Sequence, residues 1–401
     1  MLELEAALTR ILDTIPSPLT ESVPLAEARG RYLTEQILAP IDLPIFDNSA
    51  MDGYAVRASD VATATSASPV RLRIVGRVAA GDSSESRVAS GTCVRLFTGS
   101  PLPQGADAVV MQEDTRIDTG NEGAILVLDS AKPFENIRFR GEDVKQGARL
   151  LAAGDILTAS RICLVAALGL RETSAGRRPV VALLATGSEL REPGQPLRPG
   201  QIYESNRAGL AALVRGAGAI PRIFALVPDS LSSTREALEE AFSHCDVVVT
   251  SGGVSVGEMD FVKQAFEEIG GQQQFWRVAI KPGRPFVFGR LGKKLLFGLP
   301  GNPVSALVTF LLLARPALIQ WQGGVEVSLP RHPGVLGEPL SNPGERRHFV
   351  RVRVDSDGQV FAAGVQASHI LSSLAAANGL VDVPPGSVLA TGTAVHVMRW
   401  E

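Results

Sequence analysis

Between residues 179 and 307 the chain passes three times from a short apolar run, β-branched in the first two, into a glycine-containing loop and then into a helical pattern. The runs are PVVALLATGSEL (179–190), DVVVTSGGVSVGEMD (246–260) and LLFGLPGNPVSAL (295–307). Near-continuous Val/Leu runs of this length fit parallel strands buried on both faces, whose carboxyl ends share one rim. On such a rim, glycines let backbone N–H groups approach an anion, and helix N-termini favour negative charge. IPRIFALVPD (220–229) and WRVAIKPGRPFVFG (276–289) supply further strands at βαβ spacing. Residues 177–324 are therefore expected to form a three-layer α/β domain on a mostly parallel sheet. Acids and bases punctuate the same loops, at Glu189, Asp229, Asp260, Lys281 and Arg284. Acids beside an anion site suggest a bridging cation.

The flanking sequence reads differently. MLELEAALTRILDTI has a helical stripe of Leu4, Leu8, Ile11 and Ile15. Residues 46–140 turn to short strands (71–78, 92–99, 107–114, 124–130) separated by Gly, Pro, Ser and Asp clusters, with DNSAMDGYA (47–55) as a turn-rich entry. Residues 141–176 return to extended and then helical pattern, and could pack back on the N-terminal helix. The β segment would then be an insertion into a discontinuous domain of residues 1–45 and 141–176. After Gly323 and Gly324, residues 325–401 read as a β-barrel or small sandwich, with HFVRVRVD alternating, a DSDG turn, and QVFAAG pairing back.

A net charge of −3 with 5% aromatic residues gives neither the basic excess nor the stacking surface that nucleic-acid binding uses. Cys93, Cys163 and Cys245 are few, odd in number and far apart, so three buried small hydrophobes are expected rather than disulfides or a zinc site. The acidic start is unlike a signal peptide, and the most apolar stretch, roughly Val304 to Leu313, is too short to cross a bilayer. A cytoplasmic protein with a buried helix there, and no membrane partner, is the expectation. Walker and GxGxxG fingerprints are missing, as are HExxH and GxSxG, and the five histidines are dispersed.

Taken singly, each glycine loop has a purely structural explanation. Glycines serve φ > 0, Asn302 before Pro303 resembles an N-cap, and Asp229 and Asp260 could each cap a helix for about 1 kcal/mol. Helix ends alone supply only about 0.3–1 kcal/mol, whereas micromolar binding of an anion needs roughly 8. Side-chain cations or a metal must supply the difference. Lys281 and Arg284 in the proline-stiffened KPGRP loop, with Arg277 upstream, are the obvious donors.

The segments DNSAMDGYA, RLFTGSPLP, IRFRGEDV, ATGSEL, IYESN, SGGVSVGEMD, IKPGRP, GLPGNPVS and GVQASHILSS occur in the order seen in the MoeA family, which the chain resembles over essentially its whole length. That resemblance implies an elongated homodimer of four-domain subunits, residues 1–45 and 141–176 carrying dimerisation and 177–324 being molybdopterin-binding-like. It implies molybdopterin molybdenumtransferase activity: adenylated molybdopterin loses AMP and molybdate is inserted, with Mg2+ assisting. Glu189, Asp229 and Asp260 are then implied for metal handling and hydrolysis. Arg277, Lys281 and Arg284 would hold phosphate or molybdate, and Arg351 and Ser368 would line the molybdate end. Thr186, Gly187, Ser205, Ser251, Gly252, Gly253, Pro300, Gly301, Asn302 and Pro303 complete the implied substrate-binding rim. Asp52, Thr98 and Asp143 would reach in from the second subunit, Asp52 and Asp143 as catalytic acids. A transient contact with a molybdopterin adenylyltransferase is also implied.

The chain departs from the family pattern at Ser188, where many relatives carry Asp, and at Arg277 and Arg284, where Lys is common. The first puts more weight on Glu189; the others keep charge and change geometry. A non-catalytic cofactor-binding scaffold and a tungstate-inserting paralogue are the alternatives. Extra carboxylates gain nothing for pure polyanion binding, which argues against the scaffold.

Overall fold

The computed structural model describes residues 1–82, 85–253 and 261–400. Two compact units emerge, one of Met1–Glu35, Ala153–Ala159 and Glu172–Glu401, the other of Gln36–Ala152 and Ser160–Arg171.

The first unit is organised on a six-stranded sheet of β1 (Val180–Ala185), β2 (Ile220–Ile223), β3 (Val247–Ser251), β4 (Gln272–Trp276), β5 (Val287–Leu291) and β6 (Lys294–Leu299), in spatial order β2-β1-β3-β6-β5-β4. The pairs β2/β1, β1/β3 and β3/β6 are parallel, and the edge hairpin β4–β5 is antiparallel, so the sheet is mixed. Alternation along each strand explains its layers. Val181, Leu183, Val247, Val249, Leu295 and Phe297 point into one core with α1 (Asn206–Gly216) and the long helix Pro303–Trp321. Ala182, Leu184, Val248 and Leu296 point into another with α2 (Leu231–His244) and α3 (Val262–Glu268). Burying both faces, at about 1.5–3 kcal/mol per large aliphatic side chain, is why these strands are apolar throughout.

The helix Pro303–Trp321 is long and apolar enough to cross a membrane, but 83% of its most apolar window is buried inside the protein, as expected for a core helix. The N-terminal helix Leu4–Leu12 lays Leu4, Ala7 and Ile11 on it, with Leu8 and Ile15 partly buried at the seam. That stripe therefore packs on the α/β core, whereas Leu164 of the helix Ala159–Ala167 and Leu168 just beyond it pack with Ala39 and Val144 in the second unit.

The stretch 276–289 is not one strand. Trp276 ends β4, Ile280–Lys281 pairs with Arg347–His348 in the C-terminal sheet, and β5 begins at Val287. Two prolines and Gly283 interrupt the ladder, so the chain changes sheets there. In the C-terminal region Arg331–Leu336, Arg347–Val354, Gln359–Ala362, Gly379–Val383 and Ala394–Met398 form a closed barrel, Arg347–Val354 pairing with both Gln359–Ala362 and Gly379–Val383. Its Arg347–Val354 strand is buried at five consecutive positions, not alternately: Val350 and Val352 fill the barrel interior while Phe349 joins the α/β core outside it.

In the second unit a six-stranded sheet runs Ala108–Met111, Gly53–Val56, Thr92–Leu96, Val70–Val78, Ala124–Val127, Thr115–Ile117. Gly53–Val56, part of the run read as turn-rich, is an interior strand of it. A side chain at Gly53 would sit 2.0 Å from the carbonyl oxygen of Val110, so only glycine permits this pairing. Cys93 and Cys245 are buried, and burial pushes the Cys93 thiol up to about 12; Cys163 is exposed, contrary to expectation. Its helix, Ala159–Ala167, buries only Val165.

Candidate active site

The carboxyl ends of β1, β3 and β6 are stitched together by backbone hydrogen bonds. Thr186 N–H donates to Ser251 O (3.1 Å), Gly252 N–H to Leu299 O (3.1 Å) and Gly187 N–H to Val227 O (3.2 Å). Gly252 and Gly253 take φ of +91° and +67°, and a Cβ at either would meet Thr186, at 2.7 Å from its carbonyl oxygen or 2.8 Å from its Oγ1. Glycine is thus required twice, for conformation and for close approach. The buried Thr186 Oγ1 has no hydrogen-bond partner among the described residues, which leaves a polar atom for a ligand to satisfy. Gly301 lies beside Gly252, where a Cβ would be 3.6 Å from the Gly252 Cα, between the buried Pro300 and Pro303 at the first helical position.

From this rim the contacts run on to the barrel. Asn302 Nδ2 donates to Ser368 Oγ (3.2 Å) and makes no capping bond. The Ser368 loop wraps a fully buried Arg351, whose Nη2 donates to the carbonyls of Val365 (2.8 Å) and Ala367 (3.2 Å) and whose Nε donates to Ser373 Oγ (3.1 Å). Arg351 Nη1 is buried without a partner among the described residues. A guanidinium anchored on three sides, with one corner unpaired among the described residues, has the chemistry to take an anion. Lys281 and Arg284 are exposed, and neither they nor Arg277 or Arg351 pair with an acid among the described residues. Their charge is felt nearby. Burial first, then the positive charges of Lys281 and Arg351, press His348 down to about 4, and burial followed by Arg284 lowers Arg346. Arg277, at φ +75°, stacks on Trp276 at 3.7 Å, with Lys263 on the same ring at 3.7 Å.

The acids sit on the same loops. Asp229 Oδ2 accepts from Ser188 N–H (2.9 Å) while Asp229 N–H donates to Ser188 Oγ (3.1 Å). Ser188 therefore clasps Asp229. Asp229 does not cap α2; Ser230 does, accepting from Ser233 N–H at 3.2 Å. Glu189 is exposed, its carboxylate folded over Gly187 with no hydrogen bond to a described residue. Ser205 is exposed at the N-terminus of α1. Asp260 lies outside the described residues. Among the described residues no three His, Cys, Asp or Glu side chains converge on a metal. Magnesium needs only one or two protein carboxylates when substrate phosphates and water complete its shell, a chemistry that the free carboxylate of Glu189 and the half-satisfied one of Asp229 fit.

In the second unit Asp52 accepts from Thr98 N–H (2.7 Å) and Thr98 Oγ1 (2.8 Å), which holds its exposed carboxyl below the usual range. Asp143 is exposed beside a depression lined by Leu43, Pro44, Arg138 and Glu142.

Three groups at the rim escape pattern reading. Asn206, in the IYESN run, donates through Nδ2 to Ser251 Oγ (2.6 Å) and to Gly301 O (2.8 Å). Glu204 and Arg207 are buried and paired, and Trp276 carries two cations. A polar residue at a helix start signals capping, and nothing local distinguishes a clamp from a cap.

Known proteins share this architecture throughout. The MoeA N-terminal region (domains I and II) matches residues 2–169, a probable molybdopterin binding domain matches 182–320, and the MoeA C-terminal region (domain IV) matches 333–400. The molybdopterin molybdenumtransferase of Haemophilus influenzae is 40% identical over 384 residues, covering 94% of this chain and 93% of that protein. The molybdopterin molybdenumtransferase 2 of Mycobacterium tuberculosis is 42% identical over 383 residues, 94% of each. The crystal structure of the molybdopterin biosynthesis moeA protein from Pyrococcus horikoshii OT3 superposes with a TM-score of 0.84 at 32% identity, covering 100% of both chains. By sequence and fold along its whole length, this chain belongs to the MoeA family of molybdenum cofactor biosynthesis.

Proposed function

We infer that the chain is a molybdopterin molybdenumtransferase, inserting molybdate into adenylated molybdopterin with release of AMP. The observation that carries this reading is the run of contacts from the glycine rim at Thr186, Ser251 and Gly252, through Gly301, Asn302 and Ser368, to Arg351, which holds the Ser368 loop through Ala367 O and keeps one corner unpaired among the described residues. One end supplies the hydroxyls of Thr186 and Ser251 beside left-handed glycines, suited to a phosphate oxygen, the other an anchored guanidinium suited to a tetrahedral oxyanion. Cleavage of the phosphoanhydride requires water to attack phosphorus and a base to take its proton; Glu189, whose carboxylate bonds no described residue, is the residue assigned to that role. Mg2+, bound through Glu189 and Asp229, would offset the charge of the phosphates. A carrier needs none of these acids, and curated relatives at 35–42% identity carry the transferase name, so the scaffold is disfavoured. Tungstate matches molybdate in size and charge and is the comparison ion for any assay.

Homodimer formation, with Asp52, Thr98 and Asp143 acting at the site of a second subunit, is part of the proposal, as are cytoplasmic location and a transient docking of the adenylyltransferase that supplies the substrate. The exposed, apolar helix Ala159–Ala167 supports the dimer. The decisive assay is molybdate- and Mg2+-dependent AMP release from adenylated molybdopterin. Glu189→Gln is expected to keep the fold and lower the rate at least about 100-fold, the usual range for a positioned base. Wild-type turnover in that variant would remove Glu189 from the reaction.

A further inference from the structure

Asn206 is 7% exposed and stands at the start of α1, where Glu204 and Arg207 on either side are buried and paired. Its amide group is fixed unambiguously. Gly301 O can only accept, so the atom facing it at 2.8 Å must be Nδ2, and the same Nδ2 then donates its second hydrogen to Ser251 Oγ at 2.6 Å. A hydroxyl that accepts from Asn206 keeps its own hydrogen free, and among the described residues Ser251 Oγ donates to no other group. Asn206 Oδ1, also buried, is unpartnered there too. Ser251 itself is 3% exposed at the tip of β3, next to the glycines at 252 and 253.

We propose that Asn206 is a positioning residue that sets the polarity of Ser251, so that the Ser251 hydroxyl donates to a phosphate oxygen of the bound adenylated pterin, while the bond to Gly301 O holds the neighbouring loop in register. This rests on the transferase reading, since it takes the phosphate as the anion bound at the rim. Two strand tips and a helix start, far apart in sequence, meet through one amide, and an acceptor-only group in its place would reverse the order of donation: a carboxylate at 206 captures the Ser251 hydrogen and turns a lone pair toward the ligand. Facing Gly301 O, it would also present two acceptors to each other.

The distinguishing experiment compares Asn206→Asp, which preserves shape and reverses polarity, with Asn206→Ala, which removes both bonds and leaves Ser251 free to rotate. The readout is the dissociation constant for adenylated molybdopterin, measured without molybdate. N206A is expected to weaken binding about tenfold and N206D about 100-fold, one hydrogen bond to a charged group lying between. In a Ser251→Ala background the two variants should fall within about threefold of each other, because the hydroxyl whose direction they set is gone. N206D binding as well as or better than N206A overturns the proposal, since a packing role alone favours the isosteric change. A gap that persists undiminished in the S251A background also overturns it, because charge repulsion alone then explains the loss. The wild-type chain is assayed in parallel: tight binding with no AMP released on adding molybdate and Mg2+ fails the transferase reading while leaving the comparison of variants intact. Absence of wild-type binding overturns both.

Discussion

The buried ionic cluster behind the rim gives the sharpest stability prediction. Arg207, 3% exposed, donates through Nε to Glu204 Oε2 (2.8 Å) and through Nη2 to both oxygens of Glu192 (2.8 Å each), and through Nη1 to Phe224 O. Arg207→Met keeps most of the methylene volume and removes the charge. Among the described residues Glu204, 4% exposed, is then left with only the residue 207 backbone N–H, bonded to its Oε1 at 2.9 Å. A buried charge stripped of its counter-ion costs about 3–5 kcal/mol. Glu192 is 44% exposed and returns to water, so its share is at most about 1 kcal/mol. R207M is therefore expected to destabilise the first unit by about 3–5 kcal/mol, and Glu204→Gln in the same chain to recover more than half, because the stranded charge is gone. Two compact units need not unfold together, so the measurement is native-state hydrogen exchange of the Val181–Ala185 and Val247–Ser251 amides as urea is raised, which reports this unit alone. If R207M stays within about 1 kcal/mol of wild type, or the double variant is no better than the single, the cluster is not held by its charges and the reasoning fails.

His348 carries a pH signature. Its pKa falls from the ordinary 6.5 to about 4 on folding, so between those values the unfolded chain holds a proton that the native protein does not, and stability rises with pH through that window and levels off above it. Between pH 7 and pH 4 wild type should lose about 3 kcal/mol more than His348→Gln in chemical unfolding; parallel curves would contradict the burial argument. Trp276 should act through its two cations, each at 3.7 Å. Trp276→Leu is expected to weaken adenylated molybdopterin about fivefold, equivalent to roughly 1 kcal/mol, and Trp276→Phe less, with unchanged affinity in W276L showing that the stack does not orient Arg277.

What pattern reading can reach here follows from what is local. The apolar runs at 180–185, 247–251 and 294–299 announce themselves because strands buried on both faces need no polar alternation, and the glycines at 252 and 253 follow from the turn they must make. Gly53–Val56 was masked by the turn-forming residues around it, because its place in the sheet depends on a close approach to Val110 that no local propensity encodes. Ile280–Lys281 has strand composition, but its partner lies at Arg347–His348, and only the prolines after it hint that the α/β sheet cannot keep it. The site divides in the same way. Thr186, Ser251 and Asn302 sit on loops that the glycines mark, whereas Asn206 reaches partners 45 and 95 residues away, and Arg351 is buried beneath the Ser368 loop on a strand whose alternation suggested a solvent-facing side. Buried polar side chains are selected by where loops meet in space, so the rim residues proposed to contact phosphate were marked locally, while the amide clamp between Ser251 and Gly301 required the packed fold.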